Sequence, residues 1–162
     1  MVQSGSPVGG IGGPKPKIPD RADLIIRWAT ALPVRQAKAL YRSREGKLGA
    51  ERVNEMIEAR GDGYVLEILG IPAVVAHRGT GTLELLLRQS AYARTRTGRT
   101  IRPDRVEVTI QALTLLVKIH FPRSAEFTAA DRELTCYADL QIFEFRERFQ
   151  LNSMVYLKTL EL

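Results

Sequence analysis

The chain has 162 residues, 44% of them hydrophobic, one cysteine and a formal net charge of +6. That length suits one domain with its own core. A lone cysteine excludes an internal disulfide, and no apolar run approaches the roughly 18 residues that a membrane-spanning helix needs. The charge is unevenly spread: residues 88–105 hold six arginines against a single acid, Asp104, a local excess of +5.

Residues 1–19, MVQSGSPVGGIGGPKPKIP, are rich in Gly, Pro and Ser and carry Lys15 and Lys17 with no acid. Such a composition cannot bury enough apolar surface to offset its ordering entropy, so it predicts a flexible basic arm. It has no apolar core of the kind a secretory signal requires. A single domain is expected over residues 20–162. Asp20, with Asp23 three residues on, forms an N-cap pattern. Leu24, Ile25, Trp28, Ala29 and Leu32 follow at helical spacing and predict a first helix. Pro33 suits the first turn of a second helix. That helix should reach about Arg44, with Val34, Ala37, Leu40 and Tyr41 inward and Gly46 beyond its end. The stretch GAERVNEMIEAR (49–60) predicts a third, with Val53, Met56 and Ile57 on one face and Gly61 after it.

Beyond Gly61 the hydrophobic period shortens. YVLEIL (64–69) predicts a strand, GIP (70–72) a bend, AVVAH (73–77) another strand and RGTGT (78–82) a loop. Leu83, Leu86, Leu87 and Ala91 return to helical spacing. VEVTIQALTLLVKIHF (106–121) predicts one long strand, half-exposed at its start and covered on both faces at its end. In FTAADRE (127–133), Thr128 and Asp131 predict a capped turn. LTCYADLQIFEFRERF (134–149) predicts another long strand and SMVYLKTLEL (153–162) the last. Cys136 shares a strand face with Leu134, Ala138, Leu140 and Ile142, which makes it a core residue and not a nucleophile. The sum is an α+β fold, with N-terminal helices packed on a curved, mainly antiparallel sheet. Its element order is similar to that of the cone-shaped folds resembling nuclear transport factor 2, a likeness that carries no function.

The arginine-rich stretch, RQSAYARTRTGRTIRPDR, is the strongest functional signal. Arg94, Arg96, Arg99, Arg102 and Arg105 alternate with threonines that favour extended backbone, and Gly98 permits a turn between two arms. A β-ribbon of this kind can lay planar guanidinium forks along phosphates. Tyr92 would stack on a base, Arg88 would extend the basic edge, and Lys15 and Lys17 would assist from the arm. Five neutralised phosphates predict a log–log salt slope of about −4 to −5.

Other motifs are weaker. HRGTGT (77–82) could cradle an anion, but Glu84 stands where a dinucleotide fingerprint needs its third glycine, so the motif reads as a turn. Pro103-Asp104 with Glu107 lacks the acid-x-lysine that a related nuclease site needs on the next strand. His77 and His120 could form an acid–base pair only if the fold brings them together. No Cys/His spacing supplies a metal site, and no cofactor is expected.

The composite expectation is a non-enzymatic, basic, intracellular protein that binds nucleic acid or another polyanion. An anionic membrane surface is a further partner class, and self-association into a homo-oligomer is expected. A virion matrix, capsid or nucleocapsid component has this build. Two alternatives stand beside it. One is a small, metal-independent, toxin-like nuclease using His77 or His120. The other is an adaptor whose arginines meet an acidic protein.

Overall fold

The computed structural model of the chain describes residues 23–47, 49–59, 61–123, 126–140, 144–156, 159–160 and 162. The expected arm, with Lys15 and Lys17, and the Asp20 cap lie outside them. The fold is α+β, as expected. Among the described residues it has three α-helices, α1 (Leu32–Arg44), α2 (Ala50–Glu58) and α3 (Thr80–Ser90). The first four strands are β1 (Ile25–Trp28), β2 (Gly63–Pro72), β3 (Tyr92–Thr95) and β4 (Thr100–Ile101). The next four are β5 (Arg105–Gln111), β6 (Thr114–Pro122), β7 (Glu133–Asp139) and β8 (Glu144–Gln150). They form two four-stranded antiparallel sheets, ordered β1-β2-β6-β5 and β4-β3-β7-β8.

The expected first helix is instead the edge strand β1. Ile25 lies opposite Leu69 and Trp28 opposite Leu66. Pairing with β2 carries Trp28 into the core at 1% exposure, and this tertiary gain overrides the helical spacing. The second helix forms where Pro33 places it, but a different face turns inward. Ala39 and Arg35 are buried, while Leu40 is 54% and Tyr41 64% exposed. Two polar ties set this rotation: Arg35 donates to the Ile57 carbonyl of α2, and Lys38 donates to Glu67 of β2. In α2, Val53, Met56 and Ile57 are half-buried, on the face expected of them.

The expected bend at 70–72 is a bulge within β2, between Leu69 and Ile71. Gly70 sits there at φ +90°, where a Cβ would run into the Asp23 carbonyl. The expected strand over 73–77 is a 3₁₀ turn, Ala73–Ala76, that tucks Val75 inward once Pro72 has ended the ladder. α3 then starts at Thr80, inside the expected loop, and buries Leu83 and Leu87.

The long strand expected over 106–121 folds back on itself as the β5–β6 hairpin. It turns at Ala112, whose φ is +53°, and at Leu113, which is 86% exposed. The stretch over 134–149 is likewise two paired strands, β7 and β8, not one. The final expected strand is a 3₁₀ turn, Leu151–Met154, followed by the two-residue pair β9 (Val155–Tyr156) and β10 (Thr159–Leu160). The capped turn at Thr128 and Asp131 forms as expected, with the reciprocal bonds of a capping box.

One apolar cluster holds the two sheets together. Leu66, Ile68, Val117, Ile119 and Phe121 enter it from the first sheet. Ala93, Leu134, Cys136, Ala138 and Phe145 enter from the second. α3 packs against β5 and β7, and its Glu84 carboxylate accepts the Val108 amide at 2.9 Å, covering part of the β5 edge.

On the other face of the first sheet, Glu67 is 4% exposed and accepts from Lys38 at 2.7 Å and from Arg27 Nε at 2.9 Å. Burial pushes its carboxyl up, but the hydrogen bonds and charges of Lys38 and Arg27 outweigh that and hold it below the ordinary carboxylate value. A depressed folded-state value means the stabilisation is present above the unfolded value and is lost as pH falls through the folded one. We expect the urea midpoint to drop as pH falls below about 5. Glu67→Gln should flatten that drop and cost about 1–2 kcal/mol at pH 7, because both cations keep contact with water. An unchanged pH profile in Glu67→Gln would place the acid sensitivity elsewhere.

Candidate nucleic-acid interface

The middle of the arginine-rich stretch forms a β-ribbon, while Arg88 belongs to the end of α3 and Arg105 to the start of β5. β3 and β4 pair through Ala93 with Ile101 and Arg94 with Thr100. Gly98, at φ +91°, makes the turn, which the Thr95 and Thr97 hydroxyls brace with a 2.9 Å hydrogen bond. The ribbon is one edge of the second sheet. Ala93, Thr95 and Ile101 face the core, so Tyr92, Arg94 and Thr100 face outward.

The six arginines divide by environment. Arg102 donates to the carbonyls of Gln89, Ser90 and Ala91 at 3.1, 3.3 and 3.2 Å. These are the unsatisfied acceptors at the C-terminal end of α3, where a cation is favoured. Arg99 bonds the Glu126 carbonyl at 2.7 Å and the Asp131 carboxylate at 3.2 Å. Arg105 contacts Glu107 Oε1 at 3.1 Å and His120 Nδ1 at 3.3 Å. These three therefore fasten the ribbon to its surroundings. Arg94 pairs with no acid among the described residues: it donates to Thr100 Oγ1 at 3.1 Å and lies 5.0 Å from the Tyr92 ring centre. Arg96, at the turn, and Arg88, on the last turn of α3, are exposed and have no side-chain partner among the described residues.

The sheet register adds residues that the sequence reading missed. Tyr92 lies opposite Tyr137, and Tyr137 opposite Arg146. Arg94 lies opposite Thr135, and Thr135 opposite Arg148. The Tyr92 and Tyr137 rings stack with centres 5.1 Å apart and planes 22° from parallel. Arg102 lies 5.7 Å from the Tyr92 ring centre. The outward face thus holds an aromatic pair between Arg94 and Arg102 on one side and Arg146 on the other, with Arg148 in the neighbouring row. Acids sit at the ends of the rows, at Glu133, Asp139 and Glu144. The Tyr137 hydroxyl donates to Glu144 at 2.8 Å, and this bond, with the carboxylate's charge, pushes the phenol up to about 12. The signal for Arg146 and Arg148 was the alternation with Phe145 and Phe149, hidden while the segment read as one strand.

The histidines do not form a pair. His77 is exposed and borders a small hollow with Arg78 and Leu140. His120 borders a larger one, about 460 Å³, with Thr30, Asp62, Asp104 and Arg105. Burial first, and then the Arg105 charge, hold His120 below the ordinary imidazole value against the opposing pull of Glu107 and Asp104. In HRGTGT the turn is confined to its first half, with Gly79 at φ +94°, and Thr80–Thr82 are already the first residues of α3. Cys136 is fully buried, and burial pushes its thiol far up, as a core residue requires. Among the described residues, no cluster of three His, Cys, Asp or Glu side chains could hold a metal ion. No helix among them is long and apolar enough to cross a membrane. No family model, curated protein or solved structure matches this chain.

Proposed function

We propose that the protein is a non-enzymatic nucleic-acid-binding protein that holds a single strand on the outward face of β4-β3-β7-β8. The observation that carries this is the stacked Tyr92–Tyr137 pair flanked by arginines that have no acid partner among the described residues. Aromatic faces take bases of any sequence, and arginines beside them take the connecting phosphates. A duplex would leave the tyrosines unused, because its bases are already stacked. An acidic protein partner would need the arginines but not the aromatic pair.

The test is fluorescence anisotropy of labelled single-stranded RNA and DNA across a salt series. Arg94, Arg96, Arg146 and Arg148 predict a log–log slope of about −3, at roughly −0.7 per phosphate on a single strand. This is shallower than the slope of about −4 to −5 expected from the sequence, mainly because a single strand contributes less per phosphate than a duplex; Arg99, Arg102 and Arg105, engaged within the protein, are replaced in the count by Arg146 and Arg148. Arg94→Ala/Arg96→Ala should lower the slope by about 1.4. Salt-independent or absent binding would turn attention to acidic proteins and anionic vesicles.

A further inference from the structure

The hollow beside His120 has the opposite electrostatic character from the tyrosine face. Asp62 and Asp104 border it, both exposed and neither with an ion-pair partner among the described residues. Among the described residues Arg105 is the one cation on its rim, and it is already shared with Glu107. Arg105 Nη2 lies 3.3 Å from His120 Nδ1, and His120 Nε2 lies 3.3 Å from Glu107 Oε1, so Arg105, His120 and Glu107 close on one another at the rim. Two rim carboxylates, Asp62 and Asp104, against one guanidinium already shared with Glu107 repel a phosphate. They favour an uncharged group that offers several N–H donors to the acids and an acceptor pair to Arg105.

The hollow is also close to the proposed strand path. Arg102 lies against Tyr92, and only Pro103 and Asp104 separate it from Arg105. Three residues of chain span at most about 11 Å. A volume of about 460 Å³ is ample for a nucleobase.

We infer that this hollow is a base pocket that selects guanine from a single strand lying on the tyrosine–arginine face. The inference rests on that reading of the face. Guanine is the base whose edges fit the rim best. Its N1–H and N2–H₂ donors suit a carboxylate of Asp62 or Asp104, and its O6 and N7 acceptors suit the Nε and Nη1 side of Arg105, since Glu107 and His120 engage only Nη2 among the described residues. Uracil offers one N–H, and adenine and cytosine each offer a single amino group, so each leaves part of the rim unanswered.

The experiment compares an oligouridylate of about twelve nucleotides with the same strand carrying one central guanosine. Anisotropy is read on the wild type and on Asp62→Asn/Asp104→Asn. Guanosine alone is titrated separately while the His120 ring signals are followed by NMR. We expect the single guanosine to tighten binding about tenfold in the wild type. The double variant should lose that ratio, whatever its overall affinity, and guanosine should shift the His120 signals. Equal affinity for the two strands, with His120 unmoved by guanosine, would overturn the pocket and leave the face standing. No binding of either strand, with His120 still shifted by guanosine, would overturn the face and leave the pocket standing.

Discussion

Replacing Trp28 with alanine should destabilise the protein by about 4 kcal/mol, a large fraction of the roughly 5–15 kcal/mol that holds a domain folded. The side chain is 1% exposed although it belongs to a four-residue edge strand. Its ring meets Phe121, Phe127 and Phe149 at centre-to-centre distances of 6.1, 6.4 and 5.5 Å. Those three rings come from β6, the segment before the capped turn, and β8, so Trp28 joins both sheets. Truncation would leave a cavity bordered by three aromatic rings that cannot collapse without moving strands. Trp28→Phe keeps most of the contact and should cost about 1–2 kcal/mol. Urea titration followed by far-ultraviolet circular dichroism gives both values. Because the chain has one tryptophan, the emission of the wild type reports the same transition independently, from a buried, blue-shifted state to an exposed one. A cost under about 1 kcal/mol for Trp28→Ala would mean that β1 does not carry this side chain into the core.

On the binding face, Tyr137→Ala should weaken single-strand binding by about 10- to 100-fold, the range expected for losing one stacked base. Its salt slope should stay the same, since no phosphate contact is removed. Tyr137→Phe should bind like the wild type: stacking uses the ring, and the hydroxyl is already committed to Glu144. Arg146→Ala/Arg148→Ala should show the reverse pattern, with a slope lower by about 1.4 and base stacking retained. This crossed result separates an aromatic platform from a merely basic patch. If Tyr137→Ala binds as tightly as the wild type, the platform is wrong, whatever the arginine variants do.

The sequence was most legible where local chemistry decides the structure. Pro33 marked the start of α1, Thr128 and Asp131 marked their own capping box, and Gly98 between threonine-rich arms marked the ribbon. It was least legible where a turn lacks a turn residue. Ala112 takes a positive φ without being glycine or asparagine, so nothing in VEVTIQALTLLVKIHF announced a hairpin. The same failure hid half of the candidate site, because Arg146 comes beside Tyr137 only when 134–149 folds back on itself. IIRW failed differently. Its helical spacing is real, but pairing with β2 and the burial of Trp28 are long-range gains that no local window contains. The internal ties of Arg99, Arg102 and Arg105 were hidden for the same reason, since Glu126, the α3 terminus and His120 are distant in sequence.

The strand order carries one more consequence. β2 pairs with β6 and β3 pairs with β7, so along the chain these partnerships interleave and neither nests within the other. No single cut yields a fragment with one complete four-stranded sheet and without strands of the other. Each sheet closes over a long loop that carries strands of the other, which slows the search for the native pairing. Neither sheet is therefore a unit that chain truncation can isolate, and the arginine ribbon reaches its final place only as β7 arrives. A piece of this chain made to carry the ribbon alone would keep its charge and lose its stacked tyrosines.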